Sequence, residues 1–277
     1  MIPFVAQAAL PGWHPHWDVW IVVLLLGFSY AYAIRRIAPH LNLDGPAVTR
    51  RQVTAFGLGL LAMWVVSDWP IHDIAEQHLF MFHMVEHIVL GLVVPPLLIV
   101  GTPTWMLRAL IANRRVLPLL RPLVVPVVAF FLFDLTLVGI HWPAAINLMA
   151  SSAPAHFLIH TLLFVVAIIM WLPVLSRVPE LPRLSAPAGM LYLFVHSILP
   201  TVPASFLTFG STPLYSTYAE APRLWGIDAI TDQTVAGLIM KLGGGAVLWG
   251  IIVAMWFRWY AEEQRWDALE RQLRESA

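Results

Sequence analysis

Residues 79 to 100 read LFMFHMVEHIVLGLVVPPLLIV. A helix crossing ~30 Å of hydrocarbon needs roughly 20 mostly apolar residues, and this stretch supplies them. Its upstream end nevertheless carries His83 and His87, four apart, with Glu86 between them. Polar groups inside a bilayer are costly and turn toward a bundle interior or a cavity. The stretch therefore predicts a membrane fold and a polar site within it.

The rest of the chain has the same character. Of its 277 residues, 59% are hydrophobic and 12% charged, against about 25% charged in a soluble domain. Further apolar stretches bring the expected spans to seven: 18–35, 52–70, 77–100, 122–141, 154–175, 187–209 and 231–258. The expected fold is all-α, a polytopic seven-helix transmembrane bundle over residues 1–260. A polar helical tail, 261–277, continues from the last span with alternating charge signs. The opening MIPFVAQAALPGWHPHW lacks the positive n-region of a cleaved signal peptide, so it reads as a short tail before a first span that serves as insertion signal.

Arginines set the expected orientation. Arg35, Arg36, Arg50 and Arg51 share the first loop, Arg108, Arg114, Arg115 and Arg121 the third, and Arg177 and Arg183 the fifth. Arg258, Arg265, Arg271 and Arg274 follow the last span, and only Arg223 falls on the other side. The positive-inside rule then puts the N-terminus outside and the C-terminus in the cytoplasm. A net charge of zero argues against a nucleic-acid partner. The absence of cysteine excludes disulfides, thiolate metal sites and cysteine nucleophiles.

Histidines collect opposite the arginines. His14, His16, His72 and His78 fall outside or near the outer interface, where they read as amphipathic anchors. His141 ends the fourth span, and His156 and His160 begin the fifth, again from outside. His196 lies midway along the sixth, and only His40 is cytoplasmic. Residues four apart are neighbours on a helix face, so His83/His87 and His156/His160 each form one polar face. At 1.5 Å per residue, His83 and His87 enter roughly 9 and 15 Å into their span. The two pairs and His141 are expected to converge beneath the outer surface.

Imidazole suits copper, zinc, iron and nickel, and added thioether favours copper. Met81 and Met84 flank the first pair and Met240 lies in the last span, although methionine is also a common core filler. Asp68, Glu86, Asp134, Asp232 and Lys241 lie within or at the edges of spans. Lys241 is expected to pair with Glu86 or Asp134, as a structural ion pair or, alternatively, a proton or ion relay. The surrounding GLIMKLGGG lets helices approach closely.

HMVEH also fits the inverted zinc-peptidase pattern H-x-x-E-H, but no acidic third ligand stands out downstream. Seven spans, an outside N-terminus and a lysine in the seventh span are shared with retinal proteins, but the glycine triplet after Lys241 and the outer histidines do not follow that pattern. A two-histidine haem joining spans three and five, or a secondary copper or proton transporter, are the alternatives that use the same residues.

Three blocks carry a resemblance to a known family. HMVEHIVLGLVVPPLLIVGTP contributes His83, His87, Pro95, Pro96, Gly101 and Pro103. HWPAAINLMASSAPAHFLIHTLLFVVAIIMWLPVL contributes His141, His156, His160, Trp171 and Pro173. TDQTVAGLIMKLGGG contributes Asp232, Gln233, Gly237 and Met240, and PLYSTYA at 213–219 is similar to the loop before the family's last span. Over about residues 50 to 258 the chain resembles the multi-span CtaG family of cytochrome c oxidase assembly factors, distinct from single-span, cysteine-bearing copper chaperones. The resemblance implies a non-enzymatic protein of the bacterial plasma membrane, embedded in lipid. It would help deliver copper, its expected cargo, to oxidase subunits, directly or through a soluble copper chaperone. His83, His87, His156 and His160 would be the metal ligands, with His141 and Met240 next and Asp232 orienting a histidine.

Overall fold

The computed structural model describes residues 9–276. The first eight residues of the expected N-terminal tail, and Ala277 at the end of the C-terminal one, lie outside the described residues. Every regular element among the described residues is helical. Helices α1 (Trp17–Tyr32), α2 (Arg50–Ser67) and the short α3 (Ile71–Gln77) lead to α4 (Phe80–Ile88) and α5 (Val94–Gly101). Next come α6 (Thr104–Ile111), α7 (Leu117–Leu123), α8 (Pro126–Ile140), α9 (Pro143–Ser151) and the long α10 (Ala153–Leu175). The chain closes with α11 (Ala186–His196), α12 (Thr201–Phe209), α13 (Ser216–Glu220), α14 (Ala229–Leu238) and α15 (Gly244–Ser276). Wide π-helical turns at Val89–Val93 and Ile239–Gly243 join α4 to α5 and α14 to α15.

Six stretches are long and apolar enough to cross a membrane: Trp17–His40, Arg50–Gln77, Phe80–Gly101, Ala153–Leu175, Ala186–Phe209 and Ala229–Ser276. The stretch expected as one span at 122–141 is instead α7 and α8, meeting at a 78° bend. The count is thus six, or seven when the bent pair is taken as one span. Pro126 explains the bend. It has no N–H to continue the α7 hydrogen-bond ladder, and its ring pushes the preceding residue out of the helical region. Val125 accordingly sits at φ −59°, ψ 125°. The 15 residues of α8 make a rod of only ~22 Å.

Helix α10 runs through the centre, packed against α5 and α8, with Leu163, Ala167, Met170 and Trp171 fully buried. Trp171 has a specific task there. In a helix the Gly91 carbonyl would accept from residue 95, or from residue 96 in the wider turn. Both are proline and have no N–H to give. The Trp171 indole donates to that carbonyl at 3.1 Å, so an acceptor stranded by Pro95 and Pro96 is satisfied from the neighbouring helix. The proline pair does not break the rod; it widens the turn ahead of it.

Close helix contacts are set by glycine at two places. A Cβ on Gly101 would collide with the Phe56 backbone, and one on Gly237 with Thr208 and the Ala204 carbonyl. Helix α15 runs unbroken through Ser276 and is exposed throughout beyond Trp259.

Candidate metal centre

Leu79 enters α4 in an extended conformation and has no side chain able to cap it. The first backbone donors are met from the other end of the molecule. Asp232 of α14 accepts from Phe80 N at 2.8 Å and Met81 N at 2.9 Å. These bonds hold the start of the helix that carries His83 and His87. The expectation that Asp232 orients a histidine ring is therefore corrected: its bonds go to backbone. Beside it, Gln233 accepts from Leu214 N at 2.6 Å and ties down the loop before α13.

Helices α4 and α10 turn their imidazoles toward each other. Ring centroids are 4.2 Å apart for His83–His87 and for His156–His160 within each helix. Across the helices they are 5.4 Å apart for His83–His160, 5.0 Å for His87–His160 and 6.0 Å for His83–His156. His87 Nε2 and His160 Nε2 approach to 3.3 Å. One nitrogen each from His83, His156 and His160 lies within 4.8 Å of the other two. His83 is 2% exposed, yet neither of its ring nitrogens has a hydrogen-bond partner among the described residues. The same is true of both His156 nitrogens and of His87 Nδ1.

Carboxylates edge this cluster. Glu86, fully buried, reaches His72 Nδ1 at 2.9 Å and lies 3.8 Å from His83 Nδ1. Glu76 of α3 approaches His156 Nδ1 and, at 3.7 Å, His72 Nε2. The approach to His156 is close enough for an ion pair, so Nε2 is the His156 nitrogen left without any partner. His72, read from sequence as an interfacial anchor, belongs to the cluster, its ring 5.2 Å from that of His156. Its sequence signal was His72 and Glu76 four apart, which becomes meaningful once 71–77 is a helix.

A softer donor set adjoins the rings. His141 Nδ1 donates to the Leu137 carbonyl at 2.6 Å, which leaves Nε2 as the lone-pair nitrogen. That atom faces Met84 Sδ at 3.4 Å, and the His141 ring lies 5.3 Å from that of His87. Two lone-pair donors turned toward each other are what a soft cation joins. Met84, His87, His141 and Met240 line one cavity of about 40 Å³, room for a single water-sized species. Tyr215 fixes His141 from behind by donating to its carbonyl at 2.9 Å.

The charge pair expected for Lys241 is corrected. No carboxylate among the described residues lies within 4.0 Å of its ammonium, and the side chain is exposed. Glu86 is engaged by histidines, and Asp134 faces His196 at 2.6 Å. The turn that bears Lys241 does abut α4, since a Cβ on Gly243 would lie 3.1 Å from Ile88 Cδ1. His78 bonds the Pro222 carbonyl at 2.9 Å, outside the cluster, and His40 is exposed.

Helices long enough to span a bilayer, closed around imidazoles, carboxylates and thioethers, define a polytopic membrane protein with a metal-type donor cluster. The family model described as cytochrome c oxidase caa3 assembly factor (Caa3_CtaG) matches residues 28–262. The chain belongs to that family, and the match extends beyond the 50–258 expected from the motifs. No curated protein and no solved structure matches it.

Proposed function

We propose that this assembly factor binds copper between α4 and α10 and passes it toward the oxidase, acting without catalysis of its own. One observation carries the reading: buried ring nitrogens of His83 and His156 lack partners while they converge with His160. A buried polar atom left unsatisfied costs about 1–3 kcal/mol, and several in one place call for a ligand. Neutral imidazoles with Met84 and Met240 alongside form a set that suits copper. Such ligands also exchange one at a time, which suits delivery, and they lose the metal as acid protonates them.

In the same reading the bent α7–α8 pair is the seventh crossing. The N-terminus faces outward and the arginine-rich loops face the cytoplasm of a bacterium, as the positive-inside rule requires. The recipient is then an oxidase subunit, or a soluble copper chaperone that serves it, on the outer face. The test is metal analysis by mass spectrometry together with an absorption spectrum of the detergent-purified protein. Copper bound by the wild type, with one ion per chain lost in His83→Ala/His87→Ala, is the expected result. A Soret band would overturn the reading in favour of haem. So would a metal-free protein whose His83→Ala/His87→Ala variant still supports oxidase assembly. Copper flux into protein-containing vesicles, above that of empty ones, would replace delivery with transport.

A further inference from the structure

The segment ahead of α1 carries histidines at alternate positions, His14-Pro15-His16. In extended chain, residues two apart share a face, and here both rings turn to one carboxylate. His14 Nε2 lies 3.0 Å from Asp73 Oδ1, and His16 Nε2 lies 3.2 Å from Asp73 Oδ2. One ligand atom from each of the three lies within 4.8 Å of the others. Asp73 is fully buried on α3, whereas His14 is exposed. The group is thus rigid on one side and open on the other.

The simpler role for these rings, docking the segment onto the bundle, is already filled. His16 N and the Trp20 indole donate to Asp68 at 3.3 and 2.8 Å, and the Trp69 indole donates to the Pro11 carbonyl at 2.9 Å. The His14 ring also has a defined tautomer when neutral. Its Nδ1 sits 3.2 Å from the Gly12 carbonyl, which calls for a proton there and leaves the Nε2 lone pair aimed at Asp73 Oδ1. Two acceptors at that distance are reconciled by a cation between them, a proton or a metal ion.

A route leads inward. Successive ring centroids are 4.7 Å apart for His16–His72, 5.2 Å for His72–His156 and 4.2 Å for His156–His160. A cavity of about 560 Å³ is lined by His16, His72, Glu76, His156 and His160 among others. We propose that His14, His16 and Asp73 form an acquisition site that captures a copper ion on the outer rim and hands it, through His72, to the His83–His156–His160 centre. Two nitrogens and a carboxylate oxygen make a harder donor set than the imidazole and thioether interior. The ion therefore moves from a site where a carboxylate is one of the three converging donors to one where all three are imidazoles, exchanging ligands in turn, and no electron is transferred.

The inference rests on the copper reading of the inner centre, and the experiment separates the two. The full-length protein in detergent is titrated with Cu(II) and, in a separate anaerobic series, with Cu(I), and the loading rate is followed by stopped flow. Wild type should hold two ions per chain. His14→Ala/His16→Ala should hold one and load it at least tenfold more slowly, with unchanged helical circular dichroism. His83→Ala/His160→Ala should also hold one, filled at the wild-type rate. Unaltered stoichiometry and loading in His14→Ala/His16→Ala would overturn the acquisition site and leave the inner centre standing. A wild type that takes up no copper would remove both. Because Asp73 is buried, Asp73→Asn serves as a second variant: loss of the outer ion with retained thermal stability supports its role as ligand.

Discussion

Around His83, four imidazoles from two helices crowd together with carboxylates only at their edge. Around His196, one imidazole faces one carboxylate, Asp134, at 2.6 Å. Both places are buried, but their polar groups are balanced differently. The rings of Phe130, Phe133 and Tyr192 surround His196, with centroids at 4.8, 5.8 and 4.5 Å, and one acid answers one base. Between α4 and α10, imidazoles outnumber the acids that can answer them; buried atoms without a hydrogen-bond partner occur at both places, so it is this count that separates the two. A pair of one acid and one base belongs to the bundle's own packing, while a surplus of imidazoles over acids calls for something from outside.

The sharpest way to break that contrast is to exchange the two sites' phenotypes. His83→Ala/His160→Ala should weaken copper binding at the inner centre by more than 100-fold, whereas Asp134→Asn should leave it within about 3-fold, because only the former removes ligand atoms. Competition with a chelator of known affinity reads both, and the opposite ordering would invert the comparison. Stability should show the reverse pattern. Asp134→Ala leaves His196 unanswered in a buried site, a change that costs about 3–5 kcal/mol. Asp134→Leu/His196→Leu, which removes both partners, should recover most of that loss in denaturant titration of the reconstituted protein.

A smaller effect links the two readouts. Asp232→Ala frees two backbone donors at the start of α4, one buried and one part-buried, at about 1–3 kcal/mol, and should loosen copper about 10-fold by shifting the rings that follow. Asp232→Asn, which keeps one oxygen acceptor, should fall between. The smallest effect is expected at Asp228, the cap of α14. It accepts from the backbone of Ile230 and Thr231, each at 3.0 Å, and from the Thr231 hydroxyl. That hydroxyl, ahead of the backbone donors, holds its carboxyl below the ordinary carboxylate range. Because the folded value is depressed, this stabilisation is present above the ordinary range and disappears as pH falls through and below it. Asp228→Ala should cost about 1 kcal/mol, leave copper binding alone and flatten the acid limb of the unfolding curve.

Much of the architecture was legible because bilayer length and residue spacing are local quantities. His83/His87 and His156/His160 announced themselves as shared helix faces, and the two faces do meet. Pro126 was equally visible, but whether a proline bends, widens or merely begins a helix depends on what satisfies the freed groups. At Gly91 the Trp171 indole satisfies them and the rod continues; at Val125 the chain turns away. His72 and Glu76 were hidden because α3 is too short for a periodic pattern to declare it. Asp232 was read as a partner for a side chain because nothing local shows that a helix start 152 residues upstream lacks its cap. Lys241 was assigned a carboxylate by depth alone, and depth does not say which way a side chain points.

The amino-acid order by itself determined the membrane class, most of the spans and the family. Hydropathy and helical period act over a few turns, and these properties are written within that range. Only the tertiary structure decided which acids answer which histidines, that Met84 faces His141, and that the segment before α1 folds back onto Asp73. Those outcomes depend on how helices distant in the chain are rotated against one another, and that rotation is set by packing around α10 and by Gly101 and Gly237, not by any one stretch of sequence.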